Sequence, residues 1–299
     1  LPNSVAAAAE SLKTEFGLTP VMAAEIECYV LLSAETQGVM DGFWGPVDAE
    51  LKQQGIALIR IEKERGTHQY ELVTQITTPN RLAQWLNIIK QTVLAHAARA
   101  DVRASFAGKP FADQPPSGLH LHLHLADVEG INSYHKTEEW TSDTLRFSLG
   151  GLLADLPRAL PIFCPGEYDF YRFDEADHVP KSASWGVNNR YCALRIPATE
   201  DMYHKRIEHR VPSAEANPTE AITAMLEGIL LGLRNRIEPP PQEHGKPTAG
   251  LVESLTLSHS PLEGESQRAM RDAVGGKTLH SPHQLSGASL APPQGGSED

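Results

Sequence analysis

The segment SGLHLHLHLAD, residues 117–127, sets His120, His122 and His124 between leucines. Alternation by two is strand spacing, so in a strand the imidazoles share one face and Leu119, Leu121 and Leu123 share the other. The leucines read as a core face. The histidines then line an open face, a cleft or a barrel interior, and a metal or phosphate site competes with a plain solvated strand face. Four more segments carry chemistry. In AEIEC, Glu25 and Glu27 share a strand face inside an apolar context. Two carboxylates buried side by side repel, and a divalent cation removes the conflict. EKERGTHQYEL holds Glu62, Glu64 and Glu71, and taken alone reads as a charged hairpin. In WGVNNRYCALRIP, Arg190 precedes a strand, and Arg195 lies within it between Leu194 and Ile196, where a guanidinium calls for an anionic partner. In RIEHRVPSAEANP, Arg206, Glu208 and Arg210 alternate onto one face, with a surface ladder as the alternative. Together the segments offer hard oxygen ligands for Mg²⁺ or Mn²⁺ and guanidiniums for anionic oxygens, the makings of a metal–phosphate–carboxylate site.

The elements that must position these groups follow from periodicity. Residues 1–18 predict a helix capped by Ser4. Residues 21–33, 56–62 and 68–76 predict strands. Residues 81–106 predict a helix with Leu82, Trp85, Leu86, Ile89 and Val93 on one face. The His-Leu strand occupies 119–125. Residues 141–160 predict a helix weakened by Gly150 and Gly151, residues 190–197 and 204–211 two more strands, and residues 218–236 a helix with Asn217 as N-cap and Pro218 at its first position. Beyond Ile237 the chain turns rich in Pro, Gly, Ser and Gln, which sets a boundary at 240 and predicts a disordered or loosely attached tail over 241–299.

With 299 residues the chain can bury a sizeable core. A net charge of −12 argues against general nucleic-acid or anionic-membrane binding. Cys28, Cys164 and Cys192 form no Cys-x-x-Cys pair and are odd in number, which favours a reducing compartment over a disulfide scaffold. No apolar run is long enough to span a bilayer, and the first residues lack the order of a signal peptide, so a cytoplasmic location is expected.

In chain order the five segments resemble the catalytic domain of the glutamine synthetase family, over about residues 20–240. AEIE resembles its paired-glutamate strand. Glu64, Gln69 and Glu71 match its E-x-x-x-x-Q-x-E pattern, SGLHLH its G-S-G-x-H-x-H strand, and the two arginine segments its W-[GS]-x-x-N-R and R-[IL]-E-x-R-x-P motifs. The resemblance implies an α+β fold, a curved and mainly antiparallel sheet lining the site with helices outside. It implies that Glu27, Glu64 and Glu71 hold one divalent cation, and Glu25, His120 and Glu208 a second. His122, Arg195 and Arg206 would contact nucleotide phosphates. Arg172, Arg190 and Arg210 would serve the substrate, with Arg190 and Arg195 also stabilising the transferring phosphoryl group. The implied substrates are ATP, glutamate or a related acid, and ammonia or another amine, joined through an acyl phosphate.

Three departures qualify this. The family's small N-terminal β-grasp domain, which completes a neighbouring subunit's site, is expected to be missing, since the resemblance starts at the catalytic domain. His178 stands where the family has its flap glutamate, with Glu175 or Asp177 able to substitute only after a register shift. Pro115 and Pro116 replace an Asn-Gly that binds the amino acid; prolines remove donors and fix the backbone. The metal and nucleotide half of the site therefore reads as intact, and the amino-acid and ammonia half as altered. The readings are a ligase that uses an amine other than ammonia, a non-catalytic or partner-dependent homologue that binds nucleotide or metal, and a truncated inactive product. A homo-oligomer, or assembly with a protein supplying the missing domain, is the expected partnership.

Overall fold

The computed structural model describes residues 4–31, 40–135, 142–166, 169–173, 178–199 and 201–246. The elements in chain order are α1 (Val5–Phe16), β1 (Thr19–Leu31), α2 (Met40–Gln53), β2 (Leu58–Lys63), β3 (Gln69–Thr74), α3 (Pro79–Arg99), β4 (Arg103–Ser105), β5 (Leu119–Ala126), α4 (Asp143–Phe163), β6 (Ser182–Val187), β7 (Cys192–Ile196), β8 (Ile207–His209) and α5 (Pro218–Asn235), with 3₁₀ turns at Asp169–Phe173 and Met202–His204. The strands form one sheet in the order β2-β3-β1-β5-β8-β7-β6, with β4 also pairing β1. Every pairing is antiparallel except β6 with β7, which is parallel. The fold is α+β with a mixed sheet that does not close on itself.

Alternation divides the sheet into two faces. Met22, Ala24, Ile26 and Cys28 of β1 and Leu119, Leu121, Leu123 and Leu125 of β5 are buried in the core. On that side α1 and α3 pack against β1, and α5 packs against α1, α3 and α4. The other face carries Glu25, Glu27, His120 and His122, so the leucine half of the opening motif is indeed core.

α5 is buried nearly all round, from Ala221 through Leu233. The Asn217 side chain caps it, accepting from the backbone N–H of Thr219 (2.9 Å) and Glu220 (3.3 Å). Gly150 and Gly151, expected to weaken α4, instead let it approach the chain around α5. A Cβ on Gly151 would press into the backbones of Gly228 and Gly232, and one on Gly150 into the Ile237 carbonyl. Each glycine costs about 1 kcal/mol in helix propensity, and the close packing of two apolar helices offsets it.

Other expectations shift. The helix expected over 81–106 stops at Arg99. Asp101 takes a left-handed φ of 55°, Val102 bonds back to Ala97 O (2.9 Å), and the next residues leave to pair with β1 as β4. The strand expected over 204–211 shrinks to 207–209, because Asp201 turns the preceding chain by accepting from Tyr203 N (2.9 Å). α2 and β6 were not expected: Gly42, Gly45 and Pro46 hide the helical period of α2, and the small residues of SASWGV hide β6. The chain does not detach at 240. The Trp185 indole donates to Pro240 O (2.7 Å), Glu243 N to Trp185 O (2.9 Å) and Asn189 Nδ2 to Gly245 O (2.8 Å). The rest of the expected tail, 247–299, lies outside the described residues, as do Glu175 and Asp177. Among the described residues no helix is long and apolar enough to cross a membrane.

Candidate active site

Strand register assembles the site. Glu27 of β1 pairs with Glu71 of β3, which pairs on its other side with Glu62 of β2. Glu25 pairs with His120 of β5. His122 pairs with Glu208 of β8, and Glu208 with Arg195 of β7. One sheet face thus carries acids at the β2-β3-β1 end, imidazoles on β5, and an acid flanked by arginines on β8 and β7. Arg172 of the 169–173 turn, Arg190 and His178 close the cleft. Of the residues expected in the site, only His122 and Arg206 lie outside the cleft lining; they sit beside it, with Arg206 Nε donating to His122 Nδ1 (3.2 Å).

Among the described residues three groups have ligand atoms all within 4.8 Å of one another: Glu27–Glu64–Glu71, Glu25–Glu71–His120 and Glu25–His122–Glu208. The first is the trio expected. In the second expected trio, Glu25–His120–Glu208, His120 Nδ1 lies 3.5 Å from Glu25 and 3.7 Å from Glu208. His122, expected only near phosphates, is 3.3 Å from Glu25. The buried His120 Nδ1 and His122 Nε2 have no aligned hydrogen-bond partner. Unsatisfied imidazole nitrogens among crowded carboxylates are a donor set that Mg²⁺ or Mn²⁺ fits.

Electrostatics splits the acids. Burial pushes Glu71 up to about 8, with Glu25, Glu27 and Glu64 adding to the rise and Arg60 opposing it. Glu27 is also raised, mainly by burial, although it accepts from Gly118 N (2.9 Å) and Gln69 Nε2 (3.4 Å). Glu25 goes the other way: burial works against the carboxylate, but His120 and His122 together hold it well below the usual range. Glu208 is fully buried, and burial alone would raise it, yet Arg210, His122, His120 and Arg195 hold it at about 2. Its carboxylate accepts from Arg195 (2.8 Å) and from Arg210. Glu208 is the anionic partner that Arg195 called for.

Arg172, 2% exposed, donates to Val211 O (2.9 Å). Its turn is pinned by Asp169, which accepts from Ser213 Oγ (2.7 Å) and Gly166 N (2.8 Å). Arg190 stands exposed at the rim. His178 takes a left-handed φ of 62°. Its carbonyl accepts from Arg210 (2.8 Å), and its Nδ1 lies 2.8 Å from Arg65 Nη2. A guanidinium only donates, so Nδ1 is the acceptor and Nε2 carries the proton. As it stands His178 is a donor, and any base role for the residue at the family's flap position needs the Arg65 bond to break. Pro115 and Pro116 keep only carbonyls to offer, and both are engaged, by Tyr29 OH (2.8 Å) and Gln69 Nε2 (2.9 Å). His124 is half-buried away from the cleft, with Arg206 and His204 near it. Two charged cleft residues among those described escaped sequence reasoning, Arg60 and Arg65. Arg60 alternates with Glu62 along β2, and that spacing was the available signal.

One sheet face joins clustered carboxylates and imidazoles to an arginine wall, and comparison with known proteins gives the family. Residues 43–262 match the family described as glutamine synthetase, catalytic domain, and the chain belongs to that family. It is 36% identical over 199 residues to the gamma-glutamylputrescine synthetase of Escherichia coli (strain K12), a match covering 65% of this chain and 42% of that protein. A glutamine synthetase of Pyrococcus abyssi is 30% identical over 225 residues, covering 72% of this chain and 51% of that protein. A glutamate–isopropylamine ligase of a Pseudomonas species is 27% identical over 214 residues, covering 71% and 46%. The chain thus spans about half or less of these curated relatives. Among solved structures, the glutamine synthetase of Plasmodium falciparum superposes with a TM-score of 0.73 at 16% identity, covering 82% of this chain and 57% of that one; this supports the shared fold.

Proposed function

We propose that this chain carries the metal- and phosphate-handling part of an ATP-dependent carboxylate–amine ligase. The reaction would join the side-chain carboxyl of glutamate or a related acid to an amine through an acyl phosphate. The observation that carries the reading is the position of Glu208, buried between His120 and His122 on one side and Arg195 and Arg210 on the other. It links the cation-ligating cluster to the guanidiniums that would hold anionic oxygens.

In this reading Glu27, Glu64 and Glu71 hold one divalent cation, and Glu25, His120 and Glu208, joined by His122, the second. When bound, the cations neutralise the polyphosphate and the substrate carboxylate, two anions that otherwise repel. Arg195 and Arg206 bind phosphate oxygens, and Arg190 stabilises the spreading charge of the transferring group. Arg172 and Arg210 hold the substrate carboxylate. For Arg195 and Arg210 to engage substrates, their bonds to Glu208 are exchanged or shared.

Two observations favour an amine other than ammonia. His178, tied to Arg65, offers no carboxylate for an ammonium ion. The relatives named for putrescine and isopropylamine show that the family includes enzymes for other amines. We read residues 1–240 as the catalytic domain, working in a homo-oligomer or with a protein supplying further structure. The test is phosphate release from ATP by the purified chain, with Mg²⁺ or Mn²⁺, glutamate and a panel of amines including ammonia. Release that requires the cation, glutamate and one amine supports the reading and identifies the acceptor. Release indifferent to glutamate and to every amine overturns it.

A further inference from the structure

Arg60 reaches from β2, the edge strand, across the acidic end of the sheet. Its Nη2 lies 3.5 Å from Glu71 Oε1 and 4.0 Å from Glu25 Oε1, while its Nε lies 2.9 Å from Glu62 Oε2. Glu25 and Glu71, with His120, form one of the three groups able to hold a metal ion. The guanidinium thus faces the same two carboxylates that a cation there would need. A divalent ion and a guanidinium compete for those carboxylates, because both are positive and both draw on the same lone pairs. Arg60 also has somewhere to go. Its side chain is 42% exposed and that of Glu62 53% exposed, so the Nε contact can keep the guanidinium at the rim after Nη2 lets go.

We propose that Arg60 is a built-in competitor for the cation at Glu25–Glu71–His120. It screens the carboxylates while no ion is bound, and it is displaced toward Glu62 when one enters. The inference rests on the reading that the carboxylates of this cleft hold divalent cations. Its consequence is an inequality. Glu71 belongs to both positions, but Glu27 and Glu64 have no contact with Arg60 among the ion pairs of the described residues, so the guanidinium opposes the Glu27–Glu64–Glu71 position through one carboxylate and the Glu25–Glu71–His120 position through two, and the former fills first. The Glu25–Glu71–His120 position fills only at the higher concentration needed to expel the guanidinium.

The experiment is Mn²⁺ binding to the full chain without substrates, followed by the electron paramagnetic resonance of free Mn²⁺, for wild type, Arg60→Met and Arg60→Gln. Either neutral variant keeps the proposal testable should the other fold poorly. Arg65→Gln is the control, since Arg65 lines the same cleft but bonds to His178. The expected result is a weaker Mn²⁺ position in wild type that tightens at least tenfold in the Arg60 variants and no more than about twofold in Arg65→Gln at ordinary ionic strength, where distant exposed charges are screened. The upward shift in melting temperature on adding Mn²⁺ should be larger for the Arg60 variants than for wild type. Equal affinity in wild type and the Arg60 variants, or an equal gain in Arg65→Gln, overturns the competitor role while leaving cation binding in place. Absence of Mn²⁺ binding in all the proteins overturns both the inference and the reading beneath it.

Discussion

Glu27 on β1 stands directly across the sheet from Glu71 on β3, two carboxylates in cross-strand register. Like charges in such a pair destabilise a sheet. Here burial raises both groups, and Gln69 and the Gly118 N–H supply only neutral donors to Glu27. A sheet built for stability alone would not place them so.

Removing one of the pair therefore trades function for stability. Glu27→Gln keeps an oxygen that can accept from Gly118 N and relieves the repulsion. The metal-free variant is expected to be more stable than wild type by about 1 kcal/mol, and to bind Mn²⁺ at least tenfold more weakly. Urea unfolding with and without Mn²⁺ checks both signs. A variant less stable than wild type without metal would remove the repulsion argument.

Glu208 carries the opposite penalty. Glu208→Ala leaves Arg195 and Arg210 without their shared acid in a buried setting, at a cost of about 3–5 kcal/mol. Metal-dependent ATP turnover should fall by a thousandfold or more. His120→Ala should abolish turnover with a smaller loss of stability, because its Nδ1 has no aligned partner. Turnover at wild-type rates in both variants would show that the site lies elsewhere.

Much of this site is visible in the chain because its logic is local. Glu25 with Glu27, His120 with His122, and Arg206 with Glu208 and Arg210 alternate within single strands, so a period of two puts each set on one face. What joins the sets is pairing between distant strands. Nothing near Glu27 says that Glu71 lies opposite, nor that His122 also clusters with Glu25 and Glu208. The hydrogen bond between Arg65 and His178 links residues 113 apart in the chain, and no local pattern encodes it. α2 is hidden by its glycines and proline. Gly150 and Gly151 read as helix weakness until a second helix is there to touch them.

That touch predicts a stability effect far from the site. Gly151→Ala drives a methyl into the backbones of Gly228 and Gly232, which cannot rotate aside as a side chain could. The variant should lose about 3 kcal/mol, although alanine is the better helix former. Thermal unfolding measures it, and a stabilised variant would mean that the helices are not this close.

The thiols should be inert in the folded chain. Burial pushes Cys164 up to about 12 and Cys192 up to about 11, from 9.0. At pH 8 the thiolate fraction of either is then lower by about a hundredfold or more, and the thiolate is the reactive form. Iodoacetamide should label both only after urea unfolding. Labelling of the native chain at free-thiol rates would contradict their burial.

The most direct test of the central claim follows an oxygen atom. If ATP phosphorylates the side-chain carboxyl and an amine then displaces phosphate, one carboxyl oxygen leaves with that phosphate. The chain is incubated with Mg²⁺, ATP, an amine and glutamate labelled with ¹⁸O in the side-chain carboxyl, and products are read by mass spectrometry. The account predicts one ¹⁸O in the released phosphate for each amide formed. Unlabelled phosphate, or phosphate released with no amide, would contradict it.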